Sequence, residues 1–169
     1  CALPISEYLL AIHMNLPFEL LFPMRYLEHF NNDKYNQIKG YNINKKHLNG
    51  EHFDGIVSKT LYHLSCFETD LRSKPNPNYN EYIKYQLPQN CIDDLKRLYL
   101  ESISTIPLFN NNDNDFIYNP SFNEPLTKLI GGADADLIYE DPKNGGCLLD
   151  LKTTKNPKID KNMLFQLLG

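Results

Sequence analysis

Two apolar stretches near the end of this 169-residue chain carry acids and a lysine at spacings suited to binding a metal ion. Asp134 and Asp136 are separated by one alanine, and Asp150 and Lys152 by one leucine. Because side chains alternate between the two faces of a strand, the members of each pair should share a face. Carboxylates held together repel and raise each other's pKa, and a divalent cation bound by their oxygens removes that penalty. The sequence therefore predicts a divalent-metal site beside a lysine.

The elements that must position these side chains are two strands and the turn between them. Residues 129–139 and 147–154 are strand-like, and the Asp-Pro-Lys-Asn-Gly-Gly segment at 141–146 consists of turn-forming residues. Asp136 and Asp150 lie at similar distances from the centre of this turn, so antiparallel pairing should bring them together. A bulge in the turn would shift this alignment by one residue. Lys152 would then hold a water or a phosphate oxygen next to the metal.

The order of these elements resembles the PD-(D/E)XK nuclease superfamily, also called the restriction-endonuclease-like fold, and within it the RecB-type branch. The resemblance rests on Ala-Asp-Ala-Asp-Leu-Ile at 133–138, Leu-Asp-Leu-Lys-Thr at 149–153 and Phe-Gln-Leu-Leu-Gly at 165–169. The aromatic residue that the family places after the last of these segments falls beyond the end of the chain. The similarity covers about the final third of the sequence. The Asp-x-Lys pair alone is common, and the ordered set of three elements is the more specific feature.

The resemblance implies a function, a metal and roles for individual residues. The chain would be a metal-dependent nuclease that hydrolyses phosphodiester bonds in DNA. Asp136, Asp150 and the backbone carbonyl of Leu151 would bind Mg²⁺ or Mn²⁺. Lys152 would orient and help to activate the attacking water, or neutralise charge on the scissile phosphate. On the helix that follows, Gln166 would orient the site or touch the DNA, unless it is simply a half-buried helix residue.

Further acids are candidates with weaker support. Asp134 could bind a second metal or a metal-bound water, or could be a solvent-facing acid at the strand end. Several metal nucleases use an additional upstream acid, and Glu124, Glu101 and Glu68 are candidates for it. Most exposed glutamates are solvated surface residues, and Glu68 lies four residues before Arg72, a spacing typical of a local ion pair in a helix.

The expected fold is α/β and restriction-endonuclease-like, with a small mixed central sheet flanked by helices and a mainly helical N-terminal half. We expect one domain over 1–169, helical in 1–109, with the hairpin and the following helix in 110–169, and truncated at both ends. Apolar residues at helical spacing predict helices at 5–12, from residue 24, at 56–73 and at 91–104. The segment 31–55 is rich in Asn, Gly, Lys and His and is predicted to be a surface loop or insertion.

The charge and the hydrophobicity of the chain limit its possible binding partners and its cellular location. The net charge of −4 counts mildly against a large nucleic-acid surface, yet four lysines recur every three residues at the predicted site: Lys152, Lys155, Lys158 and Lys161. They would suit a phosphate backbone or simply form a solvated loop. No apolar run is long enough to span a bilayer, and no signal peptide is evident, so we expect a soluble protein without membrane contact.

Cysteine and histidine spacing argues against other metal sites. The four cysteines form no Cys-x-x-Cys pair, which disfavours a zinc ribbon or an iron–sulfur cluster and favours reduced thiols in a cytoplasmic protein. None of the five histidines forms a His-Glu-x-x-His motif, so a zinc hydrolase is not expected.

Two other functions compete with the nuclease. One is a catalytically inactive nuclease-like domain that binds nucleic acid or a partner protein. The other is a metal-dependent glycosyltransferase that uses Asp134 and Asp136 as its Asp-x-Asp motif. The glycosyltransferase alternative leaves Asp150 and Lys152 unexplained and lacks an upstream nucleotide-binding βαβ unit.

Overall fold

The computed structural model describes residues 2–50, 52–105, 116–118, 137–141 and 145–149. In these residues five α-helices precede three short strands. The helices are α1 (Ala2–His13), α2 (Phe22–Phe30), α3 (Asn32–Lys39), α4 (Ser58–Leu71) and α5 (Gln89–Thr105), and the strands are β1 (Phe116–Tyr118), β2 (Leu137–Asp141) and β3 (Gly145–Leu149). Short 3-10 helices lie at Phe18–Leu20, Lys45–Leu48 and Tyr79–Lys84, and a π-helical turn at Phe53–Val57 leads directly into α4.

The helix boundaries follow from local chemistry. Pro23 lies in the first turn of α2. Backbone N–H groups in the first turn have no partner within the helix, so proline, which lacks this group, costs no hydrogen bond there. Asn31 caps α3, because its side-chain oxygen accepts a hydrogen bond from the Lys34 backbone N–H at 3.1 Å. After α1 the chain turns through Asn15, which has a φ of +58°, a conformation that asparagine tolerates better than most residues.

Helix α1 lies at the centre of the hydrophobic core. Tyr8, Leu9, Ala11 and Ile12 are all at most 1% exposed, so this helix is covered on nearly all sides. It packs against α4 and α5, and α4 also packs against α2. The hydrogen bond between His13 Nδ1 and the Tyr99 hydroxyl, 2.8 Å long, joins α1 to α5.

The predicted surface loop at 31–55 is wrong. This segment contains α3 and the 3-10 helix Lys45–Leu48, and it leads into the π-helical turn. It contributes five buried side chains to the core: Tyr35, Ile38, Ile43, Leu48 and Phe53. These apolar residues are few and widely separated among polar ones, so they show no sustained helical period along the sequence, yet each inserts between neighbouring elements.

The predicted α/β fold, with a small mixed central sheet flanked by helices, is also wrong. The described residues are mainly helical, and their strands are three short segments in antiparallel order β1-β2-β3. The core is built from side chains of helices and of the segments that connect them. The reason is that α1 is apolar on almost every side, so the other helices bury their faces against it and against one another.

The predicted pairing of two strands across a turn is present, in a shorter form than the sequence indicated. Strands β2 and β3 are antiparallel, with Leu137 opposite Leu149 and Asp141 opposite Gly145. Gly145 has a φ of +85°, which strongly favours glycine at this position. The glycines predicted to form the turn, Gly145 and Gly146, are the first residues of β3.

Candidate functional site

Most of the predicted site residues lie outside the described part of the chain. These are Asp134, Asp136, Asp150, Leu151, Lys152, Gln166 and Glu124. The distances between them, and the roles assigned to them, remain predictions. The structure does describe the strands that adjoin two of them in sequence, because Leu137 follows Asp136 and Leu149 precedes Asp150.

The backbone of the hairpin fixes which residues share a face. In the antiparallel ladder, Leu137 is opposite Leu149, Ile138 is opposite Leu148, and Tyr139 is opposite Cys147. Directly opposite residues point to the same face of a sheet, and consecutive residues point to opposite faces. Leu137 and Leu149 therefore share one face, while Ile138 and Leu148 share the other.

Glu68, one of the candidate upstream acids, is held inside the helical core. Its side chain accepts a hydrogen bond from the Tyr8 hydroxyl of α1. The Arg72 guanidinium donates to Glu68 Oε1 from two nitrogens, at 3.0 Å and 2.7 Å. Glu68 is 3% exposed, and this pairing raises the pKa of Arg72. The carboxylate thus serves as an anchor between α1 and α4, in agreement with the local ion pair suggested by the four-residue spacing.

A second carboxylate network lies at the end of α4. Asp70 accepts hydrogen bonds from the Lys74 ammonium and from the Tyr82 hydroxyl, and so joins α4 to the 3-10 helix Tyr79–Lys84. The Lys74 hydrogen bond, followed by that from Tyr82, lowers the pKa of Asp70 below its ordinary value. Burial and the Asp70 carboxylate together raise the pKa of Tyr82.

We expect Asp70→Asn to lower the free energy of unfolding by about 1 kcal/mol near neutral pH, since it removes a charged acceptor from Tyr82. The Lys74 ammonium is solvent-exposed and adds little because water screens it. The folded-state pKa of Asp70 is lowered, so its stabilisation is complete above the unfolded value of 3.8 and is lost as pH falls through the folded value. Urea unfolding across a pH series should show wild type and variant converging in acid. Asp94→Asn, at an exposed ion pair, is the control.

Glu101, the third candidate acid, is exposed on α5. Among the described residues, no group of three or more His, Cys, Asp or Glu side chains is arranged to hold a metal ion. Two histidines do lie close together, His47 and His52, whose ring centroids are 5.2 Å apart. The Nδ1 atom of His47 accepts a hydrogen bond from the Asn44 backbone N–H, so this ring acts as a helix cap.

A cleft of about 470 Å³ opens between α3 and α4, and sequence reasoning missed it. Its rim carries Lys34 and Gln37 from α3, Lys59 from α4, and the side chains of Tyr41 and Ile56. None of the described residues that line it is an acid. The sequence predicts a surface loop where α3 lies, and so it indicates no second wall opposite α4.

The floor of the cleft is aromatic and holds a neutral histidine. His63 is buried and its Nε2–H donates to the backbone carbonyl of Tyr85 at 3.0 Å. Burial lowers the pKa of His63, so the ring is neutral at physiological pH. Tyr79 packs against His63 with ring centroids 6.4 Å apart, and burial raises the pKa of its phenol. This arrangement offers hydrogen-bonding groups and ring faces beneath a positively charged rim.

Two thiols lie within the described part of the chain. Cys66 and Cys91 are half-buried and are not joined in a disulfide. Burial raises the pKa of the Cys66 thiol, which keeps it protonated near neutral pH and poorly nucleophilic.

Comparisons with models of protein families, with curated proteins and with solved structures gave no significant match. In the described part of the chain, none of the helices combines the length and the apolar character required to cross a bilayer.

Proposed function

We propose that the chain is a metal-dependent nuclease that hydrolyses phosphodiester bonds in DNA, and that Asp136, Asp150 and Lys152 form its catalytic centre. The observation that supports this proposal is the register of the hairpin. Leu137 lies opposite Leu149 at the end of the described ladder. One further step in the same register would pair Asp136 with Asp150.

This pairing would suit a shared cation. Directly opposite residues of an antiparallel pair have Cβ atoms about 4.5–5.5 Å apart and point to the same face. Two carboxylates at that separation could both reach one ion at the usual oxygen–metal distance of about 2.1 Å for Mg²⁺. By the same alternation Lys152 would share the face of Asp150, so its ammonium would lie beside the two acids.

Each residue would have a distinct task. Asp136, Asp150 and the Leu151 carbonyl would hold Mg²⁺ or Mn²⁺, which supplies Lewis-acid stabilisation of the phosphate and a more acidic water. Lys152 would orient the attacking water and stabilise negative charge on the phosphate oxygens. Asp134 would hold a second metal or a water, and Gln166 would orient the site or contact the DNA. The lysines at 155, 158 and 161 would contact the phosphate backbone.

We also propose a cytoplasmic location. The support is the sequence: its four cysteines are scattered and form no Cys-x-x-Cys pair, a pattern more typical of reduced thiols than of a disulfide framework.

The test is cleavage of end-labelled linear and covalently closed DNA by the whole chain. With Mg²⁺ or Mn²⁺ we expect cleavage, and with excess EDTA we expect none, because the carboxylates need the cation to act on a phosphate. Binding of DNA without cleavage under every metal condition would contradict the proposal and favour the inactive binding domain. Turnover of a UDP-sugar without DNA cleavage would favour the glycosyltransferase.

A further inference from the structure

We propose that the cleft between α3 and α4 binds a nucleotide unit, with its phosphate at Lys34 and Lys59 and its base against Tyr41 and Ile56. This site is separate from the hairpin and does not depend on the metal chemistry proposed for it. The ligand class follows from the charge of the rim, from the exposed apolar surfaces beside it and from the size of the opening.

The charge of the rim selects an anion. Lys34 and Lys59 face the cleft from its two walls, and none of the described residues that line it is an acid. Neither lysine forms an ion pair with a residue in the described part of the chain. Lys34 Nζ instead donates to the Gln37 side-chain oxygen at 2.7 Å, which is a neutral partner. Two ammonium groups at one opening, neither with an ion-pair partner among the described residues, favour a ligand with a phosphate.

The exposed side chains beside the two lysines favour a ligand with a planar apolar group. Tyr41 is 38% exposed and Ile56 is 48% exposed, although both are large apolar side chains. Aromatic rings at a basic groove are the usual stacking platforms for nucleic-acid bases. The floor below is formed in part by the buried rings of His63 and Tyr79, which close the cleft from beneath. A cleft of about 470 Å³ is large enough to enclose a small ligand of this kind.

Two ligands share this chemistry, a free nucleotide and a nucleotide within a single strand. The experiment uses both, with dTMP as the free form and short fluorescein-labelled oligothymidylate as the strand. Binding is measured in EDTA by fluorescence anisotropy and, for dTMP, by calorimetry. Working without metal keeps this result independent of whether the hairpin cleaves DNA.

The decisive variant is Lys34→Gln/Lys59→Gln, which removes both charges of the rim. We expect about tenfold weaker binding, and a slope of log K against log salt that is smaller by about 0.7, since the two lysines neutralise one phosphate and each phosphate neutralised on a single strand contributes about 0.7. Tyr41→Ala should weaken binding about tenfold with the slope unchanged, because it removes stacking and no charge.

The matched control is Lys46→Gln/Arg97→Gln, which removes the same charge at exposed positions outside the cleft. We expect it to change binding by less than twofold, and thermal unfolding should confirm that all variants fold. Equal weakening by the control and by the cleft variant would overturn the proposal, because general electrostatic attraction would then explain the binding. Failure of wild type to bind either probe would also overturn it. Binding of dTMP alone would assign the cleft to a free nucleotide, and displacement of the strand by dTMP would show that both occupy it.

Discussion

Asp150→Ala is expected to reduce Mg²⁺-dependent DNA cleavage about a thousandfold, the scale of losing one group that stabilises transition-state charge. In the proposed site Asp150 would lie opposite Asp136 and supply one of the two carboxylates around the cation. Alanine would leave a single carboxylate and the Leu151 carbonyl, too few protein ligands to hold a hard divalent ion in place. The measurement is the initial rate of cleavage of end-labelled DNA at saturating Mg²⁺, together with Mn²⁺ binding followed by electron paramagnetic resonance.

Two further variants separate the role of a metal ligand from other causes. Lys152→Ala should also reduce cleavage but should leave Mn²⁺ binding largely intact, because an ammonium group cannot ligate a cation. Asp94→Ala removes an exposed acid of α5 whose carboxylate pairs with Arg97, and it should cleave DNA at the wild-type rate. Wild-type cleavage by Asp150→Ala would contradict the proposed site directly. Unchanged Mn²⁺ binding in that variant would remove Asp150 from the ligands.

The sequence predicted those elements whose apolar residues keep one period over several turns. Helix α4 was expected at 56–73 and is Ser58–Leu71, and α5 was expected at 91–104 and is Gln89–Thr105. Each buries an apolar face at helical spacing, with Leu64 and Phe67 in α4 and Leu95 and Tyr99 in α5. In such elements the hydrophobic pattern and the local backbone preference agree, so the sequence is informative without tertiary contacts.

The fold class is harder to predict than single elements. A strand is indicated by a few consecutive residues, whereas the way helices and sheets pack into layers depends on contacts between distant parts of the chain. The two segments around the turn at 141–146 do pair, so the prediction of a hairpin there is confirmed. Placing that hairpin at the centre of a mixed sheet required an assumption about what covers it. The helices of the described residues instead bury their apolar faces mainly against α1 and one another, an arrangement that depends on contacts between distant parts of the chain.

The candidate sites also differ in how far the sequence predicts them. Asp136 and Asp150 lie outside the described residues and their positions stay predictions, but the strand pairing beside them could be inferred from spacing around a turn, because hairpin register is a property of a few consecutive residues. The cleft at Lys34 and Lys59 could not, because its two walls are separated in sequence and one of them was assigned to a loop. The apolar residues between 31 and 55 are the sequence feature that indicates burial of this segment. Large apolar side chains such as Tyr35, Ile38, Leu48 and Phe53 are more often buried than exposed in a solvated loop.

Phe53→Ala tests directly whether the segment 31–55 is part of the core. In the structure Phe53 is 0% exposed and lies in the π-helical turn that packs against the 3-10 helix Lys45–Leu48. Truncating a fully buried phenylalanine removes its transfer free energy and leaves a cavity, so we expect the free energy of unfolding to fall by about 3–5 kcal/mol. The same position in a surface loop would lose less than about 0.5 kcal/mol. Urea unfolding followed by circular dichroism distinguishes the two, because the midpoint shifts with stability.

Phe30→Ala is the matched control, because it deletes the same atoms at the end of α2 from a side chain that is 51% exposed. We expect it to change stability by less than about 1 kcal/mol, since most of the surface it removes is already in water. The contrast between the two phenylalanines therefore isolates burial from residue type. If Phe53→Ala unfolds at the same urea concentration as Phe30→Ala, the burial of the π-helical turn against the 3-10 helix Lys45–Leu48 is refuted.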